Sequence, residues 1–269
     1  MSALWLTLLL SATSLKHGTW VYKVKGQSLL TVDPRGAALL AFSHRHALTE
    51  LYLSEGALPL ADPRAPALVS ALKSGGLRVE ALLDEGELTP AIAAVIAYNR
   101  VQPAQARIDG IHYDLEPWTK SEAWVAPLVS AYRAGRTLAA SQGMTFAADL
   151  SAVKFAHLTA EERAALREAA SHVVLMAYEA KEQVVHQRCD ALLAEHASGG
   201  LMIATWVKDF GARDRLRSPK GRCQNGAVLA ALDTAYAASA SYEGWATFSY
   251  NAYLEPSDCP GDCCALASP

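Results

Sequence analysis

The chain has 269 residues, with 24 Lys or Arg against 27 Asp or Glu, for a formal charge of −3. At about 100 to 200 residues per domain, that length allows one large domain or two small ones. With 51% hydrophobic and 19% charged residues, the composition excludes a disordered or collagen-like chain. The near-neutral balance leaves no electrostatic footprint for nucleic acid or an anionic membrane surface.

The first feature is the apolar run ALWLTLLLSA from Ala3 to Ala12. It has the length of a signal-peptide core and falls far short of the roughly 20 residues needed to span a bilayer. Residues 1–14 therefore fit a signal peptide, with Ala12 and Ser14 as the small residues before a cleavage point, and a secreted or periplasmic protein follows. Against this, no basic residue precedes the run, the first being Lys16. The other reading is a buried first strand or helix in a cytoplasmic protein.

Beyond residue 14, short β-rich apolar runs alternate with longer Ala/Leu/Arg/Glu-rich stretches, and no linker divides them. Strands are predicted at Thr19–Val24, Glu50–Leu53, Leu77–Leu83, Ile108–Leu115, Met144–Leu150, His172–Tyr178, Leu201–Trp206 and Gly244–Tyr250. Helices are predicted to begin near Pro34, Pro63, Thr89, Ala123, Thr159, Asp190 and Asn225. Thr159 with Glu162 carries the strongest start signal, a capping box. Eight strands separated by helices in one chain of this length predict a single α/β domain, a (β/α)8 TIM barrel spanning residues 15–256. No phosphate-cradling glycine pattern follows a strand, so a dinucleotide cofactor is not expected.

After the eighth strand too little chain remains for a full last helix, and residues 257–269 form a Cys-rich tail. The five cysteines are Cys189, Cys223, Cys259, Cys263 and Cys264. Export would allow Cys189 to pair with Cys223 across the seventh strand. A zinc site is disfavoured because the tail lacks a second ligand pair.

The segment DGIHYDLEPW, Asp109 to Trp118, carries the chemistry. On a strand, His112, Asp114 and Glu116 share one face while Ile111, Tyr113 and Leu115 share the other. In a parallel barrel the polar trio projects inward toward the C-terminal mouth, where barrel enzymes place their catalysts. Two carboxylates this close perturb each other, and the like charge raises the pKa of one. Glu116, at the strand end, is then the general acid for a departing glycosidic oxygen and Asp114 its ionised partner. A metal held by the trio is disfavoured, because three such positions span about 13 Å of a straight strand.

Asp109, Gly110, Asp114 and Glu116 resemble the D-G-x-D-x-D-x-E signature of the family 18 glycoside hydrolases, the chitinase-like barrels. His112 stands where that family has Asp. Met176-Ala177-Tyr178-Glu179 is similar to the family's M-x-Y-D, with Glu for Asp. Gly244 to Asn251 is similar to its last strand, with Phe248 where Trp is usual. The resemblance implies a retaining, substrate-assisted mechanism on a glycan bearing N-acetylhexosamine. Glu116 would protonate the leaving group and then activate water, Asp114 would orient the acetamido group, and Tyr178 would donate a hydrogen bond to its oxygen. The third strand departs from the family, ending LLDEG without a small-residue and glycine pair.

Candidate substrate contacts are His112, Asp149, Glu179, Trp118, Trp206, Phe248 and Asn251, the aromatics as stacking faces for sugar rings. Two further readings stand. Glu116-Pro117 also resembles the Asn-Glu-Pro strand end of two-carboxylate retaining glycosidases, with Asp209, Glu179 or Asp149 as second carboxylate. A non-catalytic carbohydrate-binding barrel is the other. Trp20 and Tyr22 are read as core, His44, His46 and His157 as surface histidines, and the charges of Glu161 to Glu168 as a solvated helix face. The expected partner is a carbohydrate, bound by a monomer without cofactor, metal or membrane span.

Overall fold

The structure is a computed structural model that describes residues 15–83, 88–116, 124–179, 181–195, 200–206 and 219–254, with the side chains of 219–224 left out. Eight parallel strands close into a barrel in chain order: β1 (Lys16–Val21), β2 (Glu50–Ser54), β3 (Arg78–Leu83), β4 (Gly110–Tyr113), β5 (Thr145–Ser151), β6 (His172–Met176), β7 (Leu201–Trp206) and β8 (Tyr242–Phe248). The helices that alternate with them are α1 (Leu29–Val32), α2 (Ala37–Arg45), α3 (Ala65–Ser74), α4 (Leu88–Val101), α5 (Val125–Ala140), α6 (Ala152–Ala156), α7 (Ala160–Ala169), α8 (Glu182–Ala194) and α9 (Pro219–Tyr236). This is the (β/α)8 barrel that the alternation predicts. Among the described residues no helix is long and apolar enough to cross a membrane.

Period-two alternation sorts the strand residues into two cores. Val79 and Ala81 of β3, Ile111 and Tyr113 of β4, Phe146, Ala148 and Leu150 of β5 and Val173 and Leu175 of β6 face outward and pack under the helices. Trp20, Tyr52, Leu82, Val174, Met202, Ala204 and Ala246 fill the barrel interior. Trp20 thus belongs to the core, as its pattern indicates.

Closure between β1 and β8 depends on Gly244, which sits at φ +135°, where a Cβ would lie 1.9 Å from the Lys16 carbonyl oxygen. Gly110 is required by packing instead. A Cβ there would lie 2.2 Å from Thr145 Oγ1 and 2.4 Å from Glu80 Oε1 inside the barrel. Gly110→Ala is therefore expected to lower unfolding stability by about 1 to 3 kcal/mol, the usual effect of overpacking, as read from urea denaturation.

Several local expectations change. The fourth strand ends at Tyr113, so Asp114 and Glu116 lie just past it. Helix α8 begins at Glu182 and α9 at Pro219, upstream of the starts expected at Asp190 and Asn225. Both residues have capping chemistry but spend it elsewhere: Asp190 accepts from the Tyr236 hydroxyl, and Asn225 bridges Thr205, Thr247 and Tyr253 from inside α9. The capping box of Thr159 and Glu162 forms with both reciprocal bonds. Arg163 departs from the solvated-face expectation, being buried against Glu195, just past α8, and the Leu158 carbonyl. His46 is buried rather than surface, packed on Phe42 and Tyr253, and desolvation lowers its pKa to about 4.

The last helix is short: α10 (Tyr250–Leu254) has five residues, and the Cys-rich tail lies outside the described residues. Cys189, on the inner face of α8, is a buried free thiol; the side chain of Cys223, its expected partner, lies outside the described residues. Burial pushes the Cys189 thiol up to about 12.

Candidate active site

Asp109, at the foot of β4, accepts from Lys73 Nζ of α3 (2.6 Å) and from the Val79 backbone N–H (3.0 Å). The motif's first carboxylate is thus a staple between helix and strand at the closed end. At the open end the Asp114 N–H donates to the Leu83 carbonyl at 2.9 Å. That bond carries the ladder one residue past β4 and fixes the Asp114 backbone at the rim. Asp114 is half-buried and Glu116 exposed.

Tyr178 follows β6 and is half-buried at the same rim. Its phenol is pushed well above the ordinary value, by burial first and then by the carboxylates of Asp149, Asp114 and Glu116. The hydroxyl therefore stays protonated and able to donate. Around it stands an aromatic wall. Phe248 packs against Trp20 and Tyr22 (both 5.7 Å between centroids) and against Tyr178 and Trp206 (both 5.9 Å). The Trp206 indole N–H has no hydrogen-bond partner among the described residues.

Beneath this rim the barrel holds charge where such barrels usually hold branched apolar side chains. His112 is wholly buried, with Nδ1 3.3 Å from Glu80 Oε2 and Nε2 2.7 Å from Asp149 Oδ1. Glu80 Oε1 accepts from Arg78 Nε (3.1 Å) and Thr145 Oγ1 (2.8 Å), and Asp149 Oδ2 accepts from Trp20 Nε1 (3.0 Å). The His112 ring stacks on Tyr52 at 3.7 Å between centroids, with Trp20 edge-on at 5.6 Å. Burial alone would neutralise the ring; the Asp149 and Glu80 carboxylates, with their hydrogen bonds, outweigh it and raise the His112 pKa to about 10. Glu80 is driven well below the usual carboxylate range by His112, His172 and Arg78, against its own burial. The interior thus carries an alternating line: Arg78, Glu80, His112, Asp149.

No protein-family model matches the sequence, and no curated protein matches it. Among solved structures, the barrel is similar to a chitinase from Chromobacterium violaceum, at 11% identity and TM-score 0.61 over 95% of this chain and 100% of that one. It is also similar to a mutant β-1,3-glucanosyltransferase from Rhizomucor miehei (10% identity, TM-score 0.59, 87% of this chain and 86% of that one). A third is an endo-β-N-acetylglucosaminidase from Cordyceps militaris (12% identity, TM-score 0.52, 95% and 86%). The fold is the (β/α)8 barrel that these structures share.

In this barrel the expected site residues divide into two groups. Asp114, Glu116, Tyr178, Trp206 and Phe248 gather at the mouth. His112 and Asp149 sit below it, with both imidazole nitrogens and both carboxylate oxygens engaged by the protein. Glu179 is held in an ion pair with Arg188 of α8 at 2.8 Å. Asn251, on α10, accepts from the Tyr22 N–H (2.9 Å) and donates to the Lys23 carbonyl (2.7 Å), stapling the last helix to the end of β1. Trp118 and Asp209 lie outside the described residues. Among the described residues no group of three or more His, Cys, Asp or Glu side chains is placed to hold a metal ion. Glu80, Arg78, Tyr52 and the Trp20 indole escaped sequence reading, since only barrel closure brings them to His112. The signal available was Arg78 and Glu80 at inward positions of an otherwise apolar strand.

Proposed function

We propose that the protein is a retaining glycosidase that cleaves a glycan containing N-acetylhexosamine with assistance from the substrate's own acetamido group. The position of Asp114 and Glu116 just past β4 and of Tyr178 just past β6, at the same end of the barrel, carries this reading. The chitinase and endo-β-N-acetylglucosaminidase of similar fold support the choice of sugar.

In the proposed reaction the acetamido carbonyl oxygen attacks the anomeric carbon of its own ring as the glycosidic bond breaks. Glu116 protonates the departing oxygen, and the resulting carboxylate then takes a proton from the water that opens the cyclised intermediate. Asp114 accepts from the acetamido N–H, which aims the carbonyl oxygen and offsets the positive charge that develops on the ring closure. Tyr178 donates to the acetamido oxygen, and its raised pKa keeps the proton available. Phe248 and Trp206 form the apolar floor on which a sugar face packs. Glu179, tied to Arg188, and Asp149, buried and saturated with hydrogen bonds, are poorly placed to act as a second carboxylate nucleophile.

The test is a panel of chromogenic and polymeric glycans, with product formation and binding measured on each. Turnover confined to N-acetylhexosaminides supports the reading. Saturable binding with no turnover on any glycan makes the protein a carbohydrate-binding barrel instead. On an active substrate, Tyr178→Phe is expected to lower kcat roughly 10²-fold, the usual effect of losing one donor to developing charge, with KM little changed.

A further inference from the structure

Past the end of β6 the chain keeps a tie to the sheet at Ala177, whose N–H donates to the Ala204 carbonyl of β7 at 2.9 Å. The next two side chains then diverge. The Tyr178 ring packs on the interior core beside Trp206 and Phe248, whereas the Glu179 carboxylate turns to α8. One side chain meets both residues. Arg188 Nη1 donates to the Tyr178 carbonyl and Arg188 Nη2 to Glu179 Oε2, each at 2.8 Å. Arg188 projects from a helix whose inner face, Val185, Cys189, Leu192 and Leu193, is sunk in the outer core. The guanidinium is therefore anchored to the body of the barrel.

Stability is a weak reason for this contact. The Arg188 and Glu179 side chains are 26% and 30% exposed, and an ion pair open to water contributes no more than about 1 kcal/mol. What the guanidinium supplies is geometry: two donors on one rigid plane fix two acceptors relative to each other, which a point charge cannot do.

We propose that Arg188 is a positioning residue for the Tyr178 hydroxyl: by holding the Tyr178 carbonyl and the Glu179 carboxylate together, it sets where the phenol stands at the mouth. This rests on the glycosidase reading of the same site, in which that hydroxyl donates to the acetamido oxygen. Glu179 is then a partner of Arg188 and not a sugar contact. With the ring flanked by Trp206 and Phe248, both 5.9 Å away between centroids, the backbone hold decides how the hydroxyl is aimed. A displacement of about 1 Å at a reacting group can lower a rate roughly 10²-fold.

Two measurements on the whole protein test this. The first requires no turnover: nuclear magnetic resonance with tyrosine labelled at the phenolic carbon, the Tyr178 signal being assigned by its loss in Tyr178→Phe. In Arg188→Ala that signal should move, and the phenol midpoint, held up by burial in the wild type, should fall toward the ordinary 10.0. The urea midpoint should change only by the small amount expected of an exposed ion pair. Arg188→Lys, which keeps the charge but loses the fork, should shift the signal in the same direction, and it serves if Arg188→Ala does not fold.

The second measurement is kinetic. On an active substrate, Arg188→Ala should lower kcat roughly 10-fold to 10²-fold, with KM changed by no more than a few-fold. The double variant Tyr178→Phe, Arg188→Ala should be no slower than Tyr178→Phe alone, because residues that act as a unit do not lose their effects twice. Millimolar guanidinium ion should recover part of the rate in Arg188→Ala and none in the double variant. A Tyr178 signal and midpoint indifferent to both Arg188 substitutions, or losses that multiply in the double variant, overturns the proposal. Absence of turnover in the wild type would remove the glycosidase reading and leave the resonance result to decide whether Arg188 places Tyr178.

Discussion

Replacing Glu116 by Gln should lower kcat roughly 10³-fold, within the 10² to 10⁴ range attributed to positioned acid–base groups, while ligand affinity changes by no more than a few-fold. The side chain is exposed at the rim, so the substitution removes a proton donor without disturbing the core. Its amide keeps the shape and hydrogen-bonding reach of the acid but cannot protonate a leaving oxygen. A substrate whose leaving group needs no proton, such as an activated aryl glycoside, should recover most of the loss in the bond-breaking step. Equal loss on activated and unactivated substrates would mean that Glu116 acts on binding or folding, not as the acid.

The second large effect is on stability. Asp149→Ala removes one of the two carboxylates beside His112 and leaves the His112 imidazolium and the Trp20 N–H buried with lost partners. Breaking a buried ion pair from one side typically lowers stability by about 3 to 5 kcal/mol, and urea denaturation should show a loss of that size. The dependence on pH follows from the sign of the shifts. His112 titrates at an ordinary 6.5 when unfolded and at about 10 when folded, so its contribution is full below pH 6.5 and is lost as pH rises toward 10. His46, lowered to about 4, and His172, lowered to about 3, contribute above pH 6.5 and lose their contribution as pH falls below it. Glu50, desolvated and beside Glu80, is raised to about 7 and loses a smaller contribution between pH 4.5 and 7. Maximal stability near neutral pH is expected, with an alkaline decline that becomes shallower in Asp149→Ala. An unchanged alkaline limb in that variant would show that the imidazolium is not the group responsible.

The barrel was legible because its strands obey a strict period of two and its helices a period near 3.6, and neither depends on distant sequence. The candidate segment was legible as a local motif: Gly110, Asp114 and Glu116 lie within seven consecutive residues, at and just past the end of one strand. What escaped was the consequence of closure. Arg78 and Glu80 of β3, His112 of β4, Asp149 of β5 and Trp20 of β1 are far apart in sequence, and no local pattern announces that they meet. His112 looked like a sugar contact for want of its partners. Asn251 did as well, though its amide is consumed by the backbone of Tyr22 and Lys23. Asp190 and Asn225 misled in the opposite sense, because a side chain able to cap a helix carries no mark showing that a tyrosine or a threonine will claim it.

In the proposed mechanism the substrate's acetamido oxygen, and not a protein carboxylate, attacks the anomeric carbon. Inhibition by a thiazoline mimic of the cyclised N-acetylglucosamine intermediate, measured during hydrolysis of a chitin oligosaccharide, tests it most directly. The predicted result is competitive inhibition at concentrations well below the substrate KM. Hydrolysis that proceeds unaffected by the thiazoline would contradict the account.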